Sequence, residues 1–296
     1  MGSTIMRHTF GLPILLLFNV LAFCCCQPSE SDVEQPLYPT VGAINARFSV
    51  ADAVTVVFSQ GNLQYQATTD QWRFADNQYD VIGADNRQID TNNSGWIDLF
   101  GWGTSGYNGL MPYSIDDTSA HYALGEDDIA GIGYDWGQQN AISNGGGKVG
   151  QWRTLTYKEW KYLFFYRQNA SLRRALATVR QVGPEGSDMG GLVLLPDGWV
   201  LPDGITFTPG STDGFQTNIY TVGQWNRMQS AGAVFLPAGG YRDGKDVALV
   251  GSYGCYWTAS GYTDDSAYEL YFLSSGFNFY TTARASGHNV RLVMDK

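Results

Sequence analysis

The last forty residues constrain the fold of this chain most strongly. Residues 254–293 set aromatic, amide and acidic side chains between small, turn-forming residues. In the segment 267–272 the even-numbered residues are Tyr, Leu and Phe, and the odd-numbered ones are Ala, Glu and Tyr. This period of two is that of a β-strand, which turns one set of side chains toward a core and the other set away from it. The segment therefore predicts a closing β-structure with one polar, aromatic face.

The composition favours the same kind of structure. The chain has 296 residues, of which 36 are glycine, and 14% are aromatic while only 16% are charged. Many glycines and aromatic residues with few Lys and Glu favour strands and tight turns over long helices. The net charge of −10 disfavours a nucleic acid as partner, because a phosphate backbone would be repelled. Glycans, proteins and cations stay open as partners.

The first 26 residues resemble a bacterial lipoprotein signal segment. Residues 12–23 form an apolar run that is too short for a membrane-spanning helix, and three cysteines follow it. In such signals a cysteine is acylated at the cleavage site, and here that residue is Cys24, with Cys25 and Cys26 as alternatives. The resemblance implies a lipid anchor and a location at the outer membrane or cell surface. The acidic, proline-containing residues 27–40 are predicted to be a flexible tether.

Turn signals divide the rest of the chain into short elements. Two capping boxes, at residues 156–159 and 221–224, predict helices over 157–168 and from 221 to 232. The spacing of apolar residues in these helices buries Trp160 and Trp225 against a sheet. The glycine-rich residues 94–108 predict an ordered loop that covers Trp96 and Trp102. Alternation and turn residues predict strands at 46–50, 53–59, 62–66, 71–75, 177–182, 192–195, 233–236, 256–259, 267–272 and 289–293.

Five ordered motifs, at residues 152–160, 236–244, 254–260, 267–268 and 290–293, resemble the C-type-lectin-like fold. More narrowly, they resemble the Fibrobacter major paralogous domain of surface proteins from gut Bacteroidetes. The resemblance implies an α+β fold with two helices around short antiparallel sheets and long loops. It also implies one domain over residues 41–296, whose N-terminal part, about 41–150, is β-rich. The last forty residues also resemble the variable region of proteins that diversity-generating retroelements target, in which a fixed scaffold displays variable side chains.

This interpretation predicts a surface protein that binds a protein or glycan ligand through its C-terminal face. The predicted scaffold residues are Trp257, Ala267, Tyr268, Leu270, Phe272, Arg284, Gly287, His288, Val290 and Arg291. The predicted ligand contacts are the residues between them, Tyr256, Tyr262, Thr263, Glu269, Tyr271, Phe277, Phe279, Tyr280 and Thr281.

No cofactor or metal site is predicted. Past the signal segment the chain keeps His121 and His288 as its histidines, too few for a His-based zinc or copper site. The Glu-Pro-Asn and Gln-Pro-Asp tripeptides of calcium-dependent lectins are absent. Carboxylates cluster at residues 116–117, 126–128 and 264–265, but without the spacing of an oxygen cage. We therefore expect solvated loops there, with a structural Ca²⁺ as the alternative.

No catalysis is predicted either. The C-type-lectin-like fold resembles that of the formylglycine-generating enzyme, which needs a pair of cysteines. Beyond the signal segment Cys255 stands alone, and we expect it to be a small buried hydrophobic residue. A glycan-active enzyme needs only two suitably separated carboxylates, so it stays an alternative, as does a structural adhesin subunit.

Overall fold

A computed structural model describes residues 1–2, 40–114, 122, 128–210 and 214–296. The chain divides into two compact units, Met1–Pro36 and Leu37–Lys296. All the elements below belong to the second unit. The predicted lipidation at Cys24–Cys26 and nearly all of the tether lie outside the described residues, as do His121 and the acidic residues 116–117 and 126–127. Among the described residues, no helix is both long and apolar enough to cross a membrane.

Short strands make up most of the regular structure. In chain order they are β1 (Phe48–Ala51), β2 (Val54–Phe58), β3 (Leu63–Gln66), β4 (Gln71–Phe74), β5 (Arg153–Thr154), β6 (Arg174–Val179), β7 (Met189–Leu194), β8 (Ile219–Tyr220), β9 (Val234–Pro237), β10 (Tyr241–Asp243), β11 (Asp246–Ala248), β12 (Gly254–Thr263), β13 (Ser266–Leu273), β14 (Gly276–Ala283) and β15 (Leu292–Asp295).

The helices are few and short. They are α1 (Trp136–Gln139), α2 (Tyr157–Lys161), which runs on into a π turn at Tyr162–Tyr166, and α3 (Val222–Ser230). Single 3₁₀ turns lie at Gly83–Arg87, Tyr107–Gly109, Ala170–Arg173 and Pro184–Gly186.

The strands form five small sheets. Two of them have four strands each, in the orders β1-β2-β15-β5 and β8-β6-β7-β9. Three strands form the antiparallel meander β12-β13-β14, and β3-β4 and β10-β11 are two-stranded hairpins. In the first sheet β15, which ends the chain, lies between β2 and β5. The C-terminal strand β15 therefore joins β2, from near residue 55, to β5, from near residue 153, in one sheet.

The predicted fold class, an α+β C-type-lectin-like fold, is wrong. The structure is mostly β, with 34% of its residues in strands and 16% in helices, divided among several small sheets. Both predicted helices begin at their capping boxes, where Thr156 and Thr221 accept hydrogen bonds from the third helical residue. The first is shorter than predicted, because its α-helical part stops at Lys161 and the chain is extended at Arg167. Within the described residues these two helices are short and fifteen strands are present, so the secondary structure is mainly β.

The core confirms most of the predicted apolar positions. Trp160 and Trp225 are fully buried, Trp160 in the cluster that includes β1, β2 and β13, and Trp225 against β9. In the loop over residues 94–108, Trp102 is fully buried and its Nε1 donates to the carbonyl of Thr258 at 2.9 Å. Trp96 is only half-buried and packs against the guanidinium of Arg73, so this ring is less covered than predicted.

Candidate functional site

The meander β12-β13-β14 positions the candidate site. In its register Cys255 pairs with Tyr271 and Trp257 pairs with Glu269. Because successive side chains of a strand alternate, Cys255, Glu269 and Tyr271 share the face opposite to the core-facing Leu270. The predicted alternation of β13 is therefore correct. The face that carries Glu269 and Tyr271 is not a flat exposed surface, however, but one wall of a cavity.

This cavity, named here the tyrosine pocket, has a volume of about 370 Å³. Three half-buried tyrosines, from β10, the loop before β12 and β13, are among its lining residues, and its buried polar side chains are called its floor here. The rings of Tyr253 and Tyr271 meet edge to face, with 5.4 Å between their centroids. Its lining residues are Tyr241, Asp243, Tyr253, Cys255, Glu269, Tyr271, Thr282, Ala283, Ser286 and His288.

The floor of the pocket consists of Cys255, Glu269 and His288, all buried. The sulfur of Cys255 lies within 4.8 Å of a carboxylate oxygen of Glu269. Oε2 of Glu269 lies 3.2 Å from Nδ1 of His288, yet neither atom makes a hydrogen bond. The imidazole of His288 stacks on the indole of Trp257 with 4.3 Å between ring centroids, which fixes the plane of the imidazole. Packing therefore holds these three buried side chains together at the pocket floor.

Burial governs protonation at this floor. It raises the pKa of Glu269 to about 7, and the neighbouring thiol of Cys255 opposes this rise. Burial, followed by the nearby positive charge of Arg242, lowers the pKa of His288 to about 3. Burial also raises the pKa of the Cys255 thiol, with the Glu269 charge adding to the effect. At neutral pH the imidazole is therefore neutral and the thiol protonated, so Cys255 is not an activated nucleophile in this state.

The structure separates the predicted ligand contacts. Tyr256 is fully buried on the core side of β12, and its hydroxyl donates to the carbonyl of Pro237 at 2.9 Å. Its prediction as a ligand contact is wrong, because alternation places it opposite Cys255 and against Leu270. Glu269 is only 7% exposed and was predicted to be an exposed contact. It reaches a ligand only through the tyrosine pocket.

The other predicted contacts lie in three different places. Tyr262 and Thr263 are exposed at the far end of β12, where Tyr262 packs on Tyr268. Phe277 and Phe279 face the other side of β14 and pack on Phe164 of the core. Tyr280 and Thr281 are both exposed but face opposite sides of β14, because Tyr280 pairs with Glu269 and Thr281 pairs with Tyr268. Tyr280 lies 5.7 Å from Tyr271 between ring centroids. The prediction of one continuous face is therefore wrong, because a meander with two packed sides distributes these side chains over both.

The predicted scaffold is confirmed at all but one position. Its members are buried except Tyr268, which is half-exposed and stacks on Tyr157 at 4.1 Å between centroids. Arg284 donates to the carbonyls of Thr263 and Tyr122, as predicted. Arg291 instead donates to side-chain amide oxygens, among them Oε1 of Gln78 at 2.8 Å.

Sequence reasoning missed several pocket residues. Tyr241 and Asp243 come from the β10-β11 hairpin, which joins the last loop through a bridge between Arg242 and Gly287. Nothing in the spacing of these two residues indicates that they lie beside β12 and β13 at the pocket. Side chains alternate along β12, so a strand with Tyr256 on the core side has Cys255 on the opposite side. That alternation is a signal that could have placed Cys255 on the same face as Glu269.

Comparisons with known proteins cover only this end of the chain. The model of one protein family, described as a domain of unknown function (DUF8237), matches residues 214–293. That range contains the β12-β13-β14 meander and every residue that lines the tyrosine pocket. No curated protein matches the chain, and no solved structure does.

Proposed function

We propose that this protein is a lipid-anchored binding protein of the cell surface whose tyrosine pocket takes a neutral glycan. The supporting observation is a cavity lined by three half-buried tyrosines together with polar side chains. Tyrosine offers an apolar ring and a polar hydroxyl at little cost in conformational entropy. Asp243, Thr282 and Ser286 add groups that can hydrogen-bond to the hydroxyls of a sugar.

A second depression next to the pocket favours a chain-like ligand. It has a volume of about 280 Å³ and includes Asn278 and Tyr280 among its lining residues. Tyr271 lines both depressions, so they share one aromatic side chain. An oligosaccharide that crosses Tyr271 would place neighbouring sugar units on the two sides of one aromatic ring.

The charges at the pocket favour a neutral ligand over an anionic one. Neither Lys nor Arg occurs among the described residues that line the two depressions, while Asp243 and Glu269 do. The whole chain has a net charge of −10. An acidic polysaccharide would be repelled at long range and would find no Lys or Arg side chain among the described lining residues.

The first prediction concerns Tyr271. In titration calorimetry of the full chain in detergent against soluble gluco-, xylo- and manno-oligosaccharides, we expect at least one series to bind. Tyr271→Ala is then expected to weaken that binding at least tenfold, about 1.4 kcal/mol, because both depressions lose their shared ring. The control is Tyr262→Ala, which removes a tyrosine that is 58% exposed and lines neither depression.

Two results would contradict this proposal. One is that no neutral oligosaccharide binds, while a peptide or protein probe does and depends on Tyr271, which would make the ligand a protein. The other is that Tyr262→Ala weakens binding as much as Tyr271→Ala. The chain length of the oligosaccharides after incubation tests the enzyme alternative, since a glycan-active enzyme would shorten them and a binding protein would not.

The second prediction concerns the anchor. Replacing Cys24, Cys25 and Cys26 together by serine is expected to move the protein from the membrane fraction to the soluble fraction, because a polar tether alone has no affinity for lipid. Immunoblots of fractionated cells measure the change, and Cys255→Ser is the matched control. Retention of the triple variant in the membrane fraction would exclude a lipid anchor at these cysteines.

A further inference from the structure

The pocket floor brings together three different types of metal-binding atom. Within the described residues, the thiol sulfur of Cys255, a carboxylate oxygen of Glu269 and an imidazole nitrogen of His288 all lie within 4.8 Å of one another. Ligand atoms around a tetrahedral Zn²⁺ lie roughly 3.3–3.8 Å apart, because their bonds to the ion are about 2.0–2.3 Å long. Small side-chain adjustments therefore suffice for all three atoms to reach one ion.

The unpaired atoms at this floor point to a ligand between them. Oε2 of Glu269 and Nδ1 of His288 are buried without a hydrogen bond, although they lie only 3.2 Å apart. Buried polar atoms are nearly always paired, and each unpaired one has a substantial energetic cost. These two atoms are close together, but the angles between their groups do not suit a hydrogen bond. Two ligands of a common metal ion have this arrangement.

We propose that Cys255, Glu269 and His288 bind a single Zn²⁺ ion at the floor of the tyrosine pocket. Sulfur, nitrogen and oxygen donors of these types suit zinc, and three protein ligands leave the fourth position open to the pocket. On binding, the thiol forms a sulfur–zinc bond and releases its proton to water in the pocket. The metal site does not require the proposed glycan, although a sugar hydroxyl could occupy the open position.

The charge balance supports this site. A thiolate and a carboxylate together neutralise the two positive charges of the ion, so the complex with neutral His288 has no net charge. Arg242 is a cation near His288, and its guanidinium donates to the carbonyl of Gly244 at 2.7 Å and to that of Ser114 at 3.2 Å. Its repulsion acts on a neutral complex and is offset further by Asp243 at the pocket wall.

The experiment uses Co²⁺ as a spectroscopic probe and Zn²⁺ as competitor. The full chain in detergent, stripped with a chelator and without any glycan present, is titrated with Co²⁺ while its absorption is recorded. We expect one ion per chain, a thiolate-to-cobalt charge-transfer band in the near ultraviolet, and loss of that band when Zn²⁺ is added. Cys255→Ser is expected to abolish the band, and Glu269→Gln and His288→Gln to weaken binding at least tenfold. Asp264→Asn, at an exposed acid outside the pocket, should change nothing.

The outcomes separate this site from the proposed glycan binding. If the unmodified chain binds neither ion, or binds cobalt without a thiolate band, the metal site is excluded, whatever the variants do. Circular dichroism of each variant shows whether a loss of binding reflects unfolding. Glycan titrations with and without chelator then test the proposed function independently, so a failure of either proposal leaves the other standing.

Discussion

Replacing Trp160 by alanine is expected to lower the free energy of unfolding by about 3–5 kcal/mol. Trp160 is 1% exposed and packs between Phe58 and Phe164, with ring centroids 5.8 and 5.9 Å away. Its removal leaves a cavity where α2 meets the first sheet, and the capping box that fixes this helix prevents collapse into the space. Because a domain is stable by only about 5–15 kcal/mol, the loss is a large fraction of the total.

Urea denaturation followed by circular dichroism measures this effect. Tyr166→Ala is the control, because that ring is 66% exposed and ends the same helical segment. We expect the control to change stability by less than about 0.5 kcal/mol. A loss below about 1 kcal/mol for Trp160→Ala would show that this tryptophan does not anchor α2 to the sheet.

Local patterns predicted the elements of this chain well, because each depends on neighbours in sequence. All ten predicted strands exist, with small shifts at their ends. Both helix starts were found from side chains that cap their own helix. The sequence patterns do not predict the short strands β5, β8, β10 and β11. They also miss β14, although Phe277 and Phe279 alternate there with Asn278 and Tyr280. Its residues were assigned to a ligand surface instead, and Ser274 and Ser275, which form the turn before it, were not recognised as a hairpin.

The arrangement of these elements could not be predicted, because it depends on long-range pairing. The C-type-lectin-like resemblance implied an α+β fold built around two helices. In the described residues the structure is mostly β, and its strands form five separate sheets. The pocket floor combines β12, β13 and the loop before β15. The register of β12 with β13 and the bridge between Tyr256 and Asn289 together bring Glu269 near His288. A periodic pattern states which face a side chain takes but not which distant residue shares that face. The relation to retroelement-diversified proteins stays a prediction, which the DNA beside the gene would decide.

Replacing Gly240 by alanine is expected to destabilise the protein by about 3 kcal/mol and to disturb the tyrosine pocket. Gly240 has a φ of +74°, which costs other residues about 1–2 kcal/mol. A Cβ atom there would also lie 2.3 Å from the carbonyl oxygen of Ala248 and 2.9 Å from the amide nitrogen of Val250. These are backbone atoms that no rotamer change can move, so the overpacking adds about 1–3 kcal/mol.

Gly244→Ala separates the two causes. Gly244 also has a positive φ, of +53°, but a Cβ atom there would have open space around it. Urea denaturation should therefore show about 1–2 kcal/mol for Gly244→Ala and clearly more for Gly240→Ala. Equal losses would show that the approach of Ala248 to Gly240 relaxes without cost. Because Gly240 immediately precedes β10, which carries Tyr241 and Asp243, a forced shift there moves one wall of the pocket. Gly240→Ala should therefore also weaken oligosaccharide binding, and Gly244→Ala should weaken it less.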